Sequence, residues 1–469
     1  MEDLYKYQQI NSLVFIVISL LLAVIIVLFA YQGIIIILLG MFAYISLKQN
    51  SNYILFFIIM GYIAFSSEFY EEYRTYFLVL SSFSLIIFFM KVYGLDYTTY
   101  PNFPSVIKIF VLLLLITLIL STIFSTNFYT SSIALIRTSI FLIIVYLFYA
   151  MIRSKQIMYL YIFSILLVVL LVGYRMILDL MILGPQLYFM RVLVSDAFQL
   201  QGNLGYTGFT IFFISISMIV SFFFLDKFSK TLKVFLFTPL LLFNILIIIL
   251  ANSRGGIIAS ISSIAFLLFF MNRRIFLKSV VAVILTIILS FLISSPIQEA
   301  VEGYLRLDTV SHREAYWNLG LEIIQEYPIF GVGADMFDKH FNNYASSSHL
   351  LLFKTGANIF GKPHPHNFFL FFTSENGILG FVTAVSLFII FFRIGYLSIK
   401  MSKGVNKDYY VLSIAITGVG VGLLIRTFIE ISGLLTYGYI TRDLPFWLLF
   451  VILIKIYMEL STEKFPIKE

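Results

Sequence analysis

Residues 106–125, VIKIFVLLLLITLILSTIFS, form an apolar run about as long as one bilayer crossing. Similar runs recur along the chain, because apolar side chains make up 61% of its 469 residues and charged side chains only 12%. The mean hydropathy of +1.00 is typical of a polytopic membrane protein and excludes a soluble fold. The run at 10–30 lacks a small-residue cleavage signature, so we expect a retained span rather than a signal peptide.

The apolar runs predict an all-α integral membrane protein with about 12–14 transmembrane helices and one large extracytoplasmic loop containing short helices. Fourteen runs lie at residues 10–30, 33–47, 53–66, 76–93, 106–125, 132–152, 157–178, 206–225, 233–251, 255–271, 275–294, 367–395, 409–434 and 444–458. The second, third and last runs are short, which leaves the lower number open. The chain accordingly divides into an N-terminal transmembrane bundle (1–294), an extracytoplasmic loop (295–365), and C-terminal transmembrane helices with a cytoplasmic tail (366–469).

The basic residues of the short connections indicate how the helices are oriented. They concentrate on one side of the predicted topology, at Lys48, Arg153, Lys155, Lys227, Lys230, Lys233, Arg273, Arg274, Lys278, Lys400, Lys403 and Lys407. By the positive-inside rule this side faces the cytoplasm, so both termini are cytoplasmic and the 295–365 loop lies outside. No basic tract suggests nucleic acid as a partner, and the absence of cysteine removes disulfides, thiolate metal sites and cysteine nucleophiles.

Five arginines share the outer end of the predicted bundle: Arg137, Arg175, Arg191, Arg254 and Arg426. An arginine at a helix centre costs roughly 2.5–3.5 kcal/mol or more, so their common depth calls for an anionic partner. A phosphate-bearing lipid suits them, because a guanidinium donates paired hydrogen bonds to phosphate oxygens. Alternatively, Arg426 pairs with Glu430, one turn away. Arg175 has Asp179 at the same spacing, and the others could snorkel to the outer headgroups.

The predicted outer loop contains a capped helix. Ser311-His312-Arg313-Glu314 has the spacing of a capping box, and apolar residues recur at helical spacing from Ala315 to Tyr327 before Pro328 ends the helix. The turn Gly331-Val332-Gly333 follows. We expect this helix to pack over the mouths of the spans and Arg313 to face the same cavity as the membrane arginines.

An imidazole stands where this loop enters a membrane helix, at His366. All five histidines fall in the loop: His312, His340, His349, His364 and His366. Two prolines hold Lys362-Pro363-His364-Pro365-His366-Asn367 extended, and a helix begins near Asn367. A helix N-terminus disfavours positive charge, which predicts a neutral His366 able to act as a general base. Two alternatives are a histidine that only hydrogen-bonds the interface, and a zinc site built from His364, His366 and other loop histidines.

Three motifs resemble those of the O-antigen ligase and O-antigen polymerase superfamily of bacterial polytopic membrane glycosyltransferases. Asn252-Ser253-Arg254-Gly255-Gly256 resembles the family's Ser-Arg-Gly element. Arg313 and Trp317, followed by Pro328-Ile329-Phe330-Gly331-Val332-Gly333, are similar to its outer-loop signature. His366-Asn367, then nine residues, Gly377 and Gly380 resemble its His-Asn motif. The resemblance covers about residues 250–395, and Gln201-Gly202-Asn203 departs from the family's Asn-Pro-Asn stretch.

The resemblance implies an enzyme that takes a glycan from a polyprenyl diphosphate such as undecaprenyl diphosphate. It would transfer the glycan to an acceptor sugar hydroxyl at the outer face of the bacterial cytoplasmic membrane. His366 would accept the hydroxyl proton, while Arg254 and Arg313 would neutralise the leaving diphosphate. The implied substrate-binding residues are Arg137, Arg175, Arg191, Arg426, Asn367 and His364. No Asp-x-Asp metal motif occurs, so we expect neither a metal nor another cofactor.

The motifs leave three functions open. A polymerase of O-antigen, capsule or exopolysaccharide repeat units joins one lipid-linked glycan to another, whereas a ligase moves the finished glycan to lipid A core or another acceptor. The abundance of Ile, Phe, Lys, Asn and Tyr is typical of a low-GC genome and favours the polymerase. A lipid-linked glycan flippase is the third, disfavoured because the chain shows no internal repeat. The expected partners are the donor, a glycan or lipid-linked acceptor, the lipid bilayer, and other polysaccharide-assembly proteins.

Overall fold

The computed structural model describes residues 52–64, 74–183, 209–250, 254–292, 313–344 and 364–464, and these residues form helices without strands. In chain order the helices are α1 (Ile54–Ile63), α2 (Arg74–Tyr93), α3 (Ser105–Ile123), α4 (Phe128–Met151), α5 (Lys155–Leu183), α6 (Phe209–Phe222), α7 (Thr238–Leu250), α8 (Arg254–Met271), α9 (Arg273–Leu292), α10 (Arg313–Glu326), α11 (Phe337–Tyr344), α12 (Phe368–Ser402), α13 (Lys407–Arg426) and α14 (Ile440–Lys464). A 3-10 turn, Tyr97–Thr99, follows α2, and a π-helical turn, Lys233–Phe237, precedes α7.

Eight helices among the described residues are long and apolar enough to cross a membrane. They comprise α2, α3, α4, α5, the Lys230–Ile248 stretch, α12, α13 and α14. Three shorter apolar stretches coincide with further predicted runs: Ile54–Ile63, Ile211–Phe222 and Gly255–Met271. The predicted all-α integral membrane fold is therefore confirmed. The predicted spans at 10–30 and 33–47 lie outside the described residues, so the total of 12–14 stays a prediction.

Helix α3 shows why these sequences suit a bilayer. Leu114 and Leu118 are buried inside the bundle, while Ile109, Leu112 and Ile116 on the other side are exposed. Exposed isoleucine and leucine in a row would be unfavourable in water, but lipid tails are as apolar as these side chains. Within the membrane the helix also satisfies its own backbone hydrogen bonds. An apolar surface on all sides is thus what a lipid-facing helix requires.

Small residues bring α8 and α13 into close contact. Gly418 and Gly422 of α13 face Ser263 and Ala259 of α8, with the two helices antiparallel. A Cβ atom on Gly422 would lie 2.5 Å from the Ala259 carbonyl oxygen, and one on Gly418 would lie 2.9 Å from that of Ser263. Small residues at four-residue spacing allow such backbone approach in membrane helices. This packing sets the first turn of α8 beside the last turn of α13.

The predicted run at 409–434 is longer than the helix it contains. Helix α13 ends at Arg426, and residues 427–439 form a connection to α14. The Arg426 side chain reaches forward into this connection and donates hydrogen bonds to the Ser432 carbonyl at 3.0 Å and to its hydroxyl at 3.1 Å. Gly433 then turns the backbone at a φ of +100°, which favours glycine. Because residues 427–434 are largely apolar, the sequence pattern predicted a longer span where the structure has a folded connection.

Several of the basic residues predicted to be cytoplasmic lie together at one end of the bundle. Lys407, at the start of α13, forms an ion pair with Asp226 in the connection after α6. The Lys155 ammonium at the start of α5 lies 4.5 Å from the centroid of the Tyr409 ring. The motif residues adjoin the opposite ends of these spans, beyond Arg426 of α13. The two ends therefore differ as the charge pattern predicts, while their assignment to membrane sides stays a prediction.

The predicted outer-loop helix is confirmed as α10, which ends just before Pro328. Leu319 and Ile323 form a small buried cluster with Val332, Met336 and Phe337. A Cβ atom on Gly320 would lie 3.9 Å from the Leu370 side chain, so α10 also packs against the start of α12. The proposed capping residue Ser311 lies outside the described residues. The loop thus folds over one end of the bundle and is more than a linker.

Candidate active site

Helix α12 begins directly after His366 and is broken one-quarter of the way along. The Asn367 side-chain oxygen caps it by accepting hydrogen bonds from the backbone N–H groups of Phe369 at 3.0 Å and Leu370 at 3.1 Å. At Gly377 the backbone leaves the helical conformation, with φ +63° and ψ −156°. Residues 368–376 therefore form a separate short helical segment, called the half-helix below. The predicted helix start is confirmed, and the break within the span is a new feature.

The outer-loop turn at 328–333 docks against this break. Three backbone hydrogen bonds join the segments: Ile378 N–H to the Pro328 carbonyl (2.9 Å), Val332 N–H to the Ser374 carbonyl (3.1 Å) and Gly333 N–H to the Glu375 carbonyl (3.0 Å). The backbones lie so close that a Cβ atom on Gly377 would be 2.1 Å from the Ile329 carbonyl oxygen. The outer-loop signature and the His-Asn motif, which are separate in sequence, therefore pack together as one structural unit.

Glu375 in the half-helix is a buried acid that the sequence analysis did not single out. Its Oε2 accepts a hydrogen bond from Asp335 N–H at 3.0 Å, and its Oε1 accepts one from Phe337 N–H at 2.8 Å. Such donors offset the cost of burying a carboxyl group. Glu375 thereby fastens the start of α11 to α12. A lone acid inside the apolar run 367–395 was the signal that could have found it.

Arg137 of α4 contacts the segment that Glu375 binds, through Asp335. One guanidinium nitrogen lies 3.0 Å from Asp335 Oδ2, and Nε donates to the Tyr437 carbonyl. The guanidinium carbon also lies 4.0 Å from the centroid of the Tyr439 ring. Arg137 thus connects α4 with the outer loop and with the α13–α14 connection. These contacts partner it within the protein, and its predicted role in substrate binding stays a prediction.

The His366 ring is enclosed by aromatic rings. The His364 ring lies 4.0 Å away between centroids, and the Tyr316 ring of α10 lies 6.0 Å away in an edge-on arrangement. The His366 backbone has a φ of +46°, and its N–H donates to His364 Nδ1 at 3.4 Å. A positive φ is unusual for histidine and is held here by its surroundings. The outer-loop helix and the loop's final residues together orient the imidazole.

Glu430 in the α13–α14 connection faces this imidazole. Its Oε2 lies 3.6 Å from His366 Nδ1, and its Oε1 accepts a hydrogen bond from Ile431 N–H at 2.9 Å. Burial alone would raise the pKa of the Glu430 carboxyl. Contact with His366, together with charge on His364 and Arg426, instead holds that pKa well below its ordinary value. Glu430 is therefore a carboxylate at neutral pH.

The connection that carries Glu430 is bound to the start of α12. The Thr427 carbonyl accepts a hydrogen bond from Phe368 N–H at 2.9 Å, and the Phe428 carbonyl accepts one from the Asn367 side chain at 3.4 Å. Both contacts occur within two residues of His366. The sequence alone suggests Glu430 only as a partner of Arg426. Its position against His366 depends on this tertiary contact, which no local sequence pattern reveals.

The start of α8 lies against the α13–α14 connection. A Cβ atom on Gly255 would lie 3.1 Å from the Ile429 side chain and 3.8 Å from Cγ of Arg426. The backbone of Arg254, the first residue of α8, is therefore beside the connection that holds Glu430. The Ser-Arg-Gly and His-Asn motifs, more than a hundred residues apart in sequence, converge through this connection.

The remaining predicted residues are only partly placed. Arg175 lies in the last turns of α5 and Arg313 begins α10, but their side chains, like that of Arg254, are not among those the structure describes. Arg191 lies outside the described residues. Among the residues that are described, the structure brings together His364, His366, Asn367 and Arg426, with Arg137 joined to a different set of contacts.

One group of described side chains could hold a metal ion. The donor atoms of His364, His366 and Glu430 lie within 4.8 Å of one another. Two histidines and a carboxylate are a ligand set that zinc accepts. His340 does not extend this group, because it is buried and its Nδ1 lies 3.1 Å from the Met336 carbonyl oxygen. His312 and His349 lie outside the described residues.

Comparison with known families agrees with the motifs. Residues 239–385 match the model of a family described as O-antigen ligase. The matched stretch includes Arg254, helix α10, the outer-loop turn and the half-helix with its break at Gly377. The search among curated proteins found no match. Residues 239–385 therefore resemble the O-antigen ligase family, in a chain whose described residues include eight helices long and apolar enough to cross a membrane.

Proposed function

We propose that this protein transfers a glycan from a polyprenyl diphosphate carrier to an acceptor sugar hydroxyl at the outer face of the cytoplasmic membrane. Its most fitting role is that of a repeat-unit polymerase. The observation that carries the proposal is the convergence of His366 and Glu430 with the first turn of α8. This arrangement supports a general base at His366 and a diphosphate site at Arg254, because the backbone at the start of α8 lies against the connection that carries Glu430.

The reaction follows from these groups. The acceptor hydroxyl gives its proton to His366 while its oxygen attacks the anomeric carbon of the donor glycan. The bond from that carbon to the diphosphate breaks, and the polyprenyl diphosphate leaves with the electron pair. Negative charge builds on the leaving oxygen, where guanidinium groups stabilise it without a change in their own protonation. In this scheme no metal ion is required.

The arginines have unequal roles in this proposal. Arg254 and Arg313 bind the diphosphate, since both begin a helix whose N-terminus also attracts anions. Arg175 and Arg191 extend the same anionic site. Arg426 supports the site through Ser432 and the Glu430 connection. His364 and Asn367 shape the acceptor side of the site through their contacts with His366 and with the start of α12.

The experiment that tests the proposal uses purified protein in nanodiscs with a polyprenyl-diphosphate-linked repeat unit as the single substrate. A polymerase gives a ladder of longer lipid-linked chains and releases one polyprenyl diphosphate for each bond formed. A ligase gives product only after a separate acceptor is added. A flippase releases no polyprenyl diphosphate in any reaction, and that outcome would overturn the proposal.

His366→Ala isolates the chemical step in this assay. Removing a general base costs about 10²- to 10⁴-fold in rate, so the variant should lose nearly all turnover while inserting normally in the membrane. His340→Gln is the matched control, because His340 belongs to the same loop but contacts Met336 rather than the site. Near-normal turnover by His366→Ala would remove His366 from the mechanism.

A further inference from the structure

We infer that Glu430 is a positioning residue for His366: its carboxylate holds Nδ1 so that Nε2 receives the acceptor proton. The inference rests on the proposed function of His366 as the general base. The sequence suggested Glu430 as an ion-pair partner for Arg426, and the structure places its carboxylate 3.6 Å from His366 Nδ1. The two ring nitrogens of His366 have different surroundings.

The Nδ1 atom of His366 is buried and makes no hydrogen bond among the described residues, although its side chain is 29% exposed. The exposed part of the ring is therefore on the side of Nε2. Glu430 Oε2 is the acidic oxygen facing Nδ1, at 3.6 Å. That separation is longer than a hydrogen bond, and contacts of this kind commonly shorten when substrate binds.

Both partners are held in place independently. Glu430 is fixed through Oε1 by the Ile431 N–H, which leaves Oε2 directed at the imidazole. His366 is fixed by the His364 ring and the Tyr316 ring. The hydrogen bond between Phe368 N–H and the Thr427 carbonyl ties the two backbones together. A fixed carboxylate beside Nδ1 selects one tautomer and stabilises the positive ring that forms on proton transfer.

A purely structural role for Glu430 predicts a different outcome. If Glu430 served only to neutralise Arg426, its loss would weaken folding and affect substrate binding and turnover alike. A positioning role instead acts in the transition state, where the imidazole gains its charge. The described ionisable side chains around the pair are His364, Arg426 and Tyr316, and each is left unchanged by the variants below.

The test compares Glu430→Gln and Glu430→Asp with wild type in the nanodisc assay. Glu430→Gln keeps the shape and removes the charge, so we expect kcat to fall about 10- to 100-fold, less than the loss expected on removing the base itself, with KM nearly unchanged. Glu430→Asp keeps the charge and should restore part of kcat. Glu322→Gln, on the exposed side of α10, is the matched control and should behave as wild type.

A double-variant comparison separates positioning from a structural role. In the His366→Ala background, Glu430→Gln should cause no further loss, since both residues act in one step. Equal fractional losses in both backgrounds would show that Glu430 acts independently of His366 and overturn the inference.

The failures of the two proposals are distinguishable. Full activity in His366→Ala would overturn the general base itself. An inactive His366→Ala with an unchanged kcat in Glu430→Gln would overturn only the positioning role. If Glu430→Gln does not fold, Glu430→Asp decides: a wild-type kcat despite a carboxylate drawn back by one methylene would show that its position against Nδ1 does not matter.

Discussion

At the scale of single residues, the end of the bundle that carries His366 buries several ionisable side chains. Arg426 and Asp443 are buried, and Glu430 is four-fifths covered. Each has a polar contact: Arg426 with Ser432, Glu430 with Ile431 N–H, and Asp443 with the Thr436 backbone and hydroxyl. Burial of a charge without such contacts costs several kcal/mol or more, by roughly the scale of ion desolvation. Specific polar contacts thus stabilise each of these three side chains.

Arg254 provides the sharpest residue-scale prediction. Arginine donates paired hydrogen bonds to a diphosphate, whereas lysine offers a single point charge on a different stem. Losing one charge-assisted hydrogen bond of about 1.5–3 kcal/mol in the transition state lowers kcat roughly 10- to 150-fold. Arg254→Lys should therefore lose that much turnover of polyprenyl-diphosphate glycan, and Arg254→Ala should lose more.

Arg153→Lys is the control for this prediction. Arg153 lies between α4 and α5 at the end of the bundle remote from the site, where one guanidinium nitrogen is 3.5 Å from the Asn52 side chain. The same conservative change there should leave turnover unaffected. Wild-type turnover by Arg254→Lys, or an equal loss in Arg153→Lys, would contradict a diphosphate site around Arg254.

At the scale of elements, the broken helix α12 and the outer-loop turn form one unit. Gly331 and Gly377 both have positive φ values, +70° and +63°, and each lies against the backbone of the other segment. Neither position has room for a side chain. The half-helix between His366 and the break therefore cannot shift without displacing the loop. This coupling gives a physical reason for the glycine ten residues beyond Asn367, at position 377.

Gly377→Ala should disrupt this unit. An added Cβ atom would lie 2.1 Å from the Ile329 carbonyl oxygen, and the residue would also adopt a strained φ. Strain and overpacking together cost about 2–6 kcal/mol. Gly404→Ala is a matched control, because Gly404 has a φ of +76° but no atom within 4 Å of the added Cβ. Thermal denaturation in detergent should show a much larger loss for Gly377→Ala, and equal losses would contradict the docking of the loop.

The sequence predicts the elements better than their contacts. Apolar periodicity locates the spans, and the side chain of Asn367 with the prolines before it locates the start of α12, because these signals are local. The end of α13 at Arg426 is not visible, since residues 427–434 remain apolar enough to continue a span. The contact between Glu430 and His366 joins residues 64 positions apart, and only the packing of α8, α12 and α13 brings them together.

At the scale of the whole molecule, the proposed chemistry depends on fixed guanidinium charge instead of a bound metal. We expect purified enzyme to keep its turnover after treatment with EDTA. Loss of activity restored by Mg²⁺ would contradict this and implicate oxygen ligands such as Asp335. Loss restored by Zn²⁺ would instead implicate His364, His366 and Glu430, whose donor atoms are close enough to share an ion.

The orientation of the whole bundle determines which substrate the site can meet. The sequence contains no cysteine, so each introduced cysteine is the single thiol in the protein and reports one position. Glu322 on α10 and Lys403 between α12 and α13 are both exposed, at the site end and the basic end respectively. We expect a membrane-impermeant maleimide to label Glu322→Cys in intact cells, and Lys403→Cys only after permeabilisation. The charge distribution requires this pattern, because basic connections are retained in the cytoplasm. The reverse pattern would turn His366 toward the cytoplasm, where a glycan already flipped to the outer leaflet could not reach it.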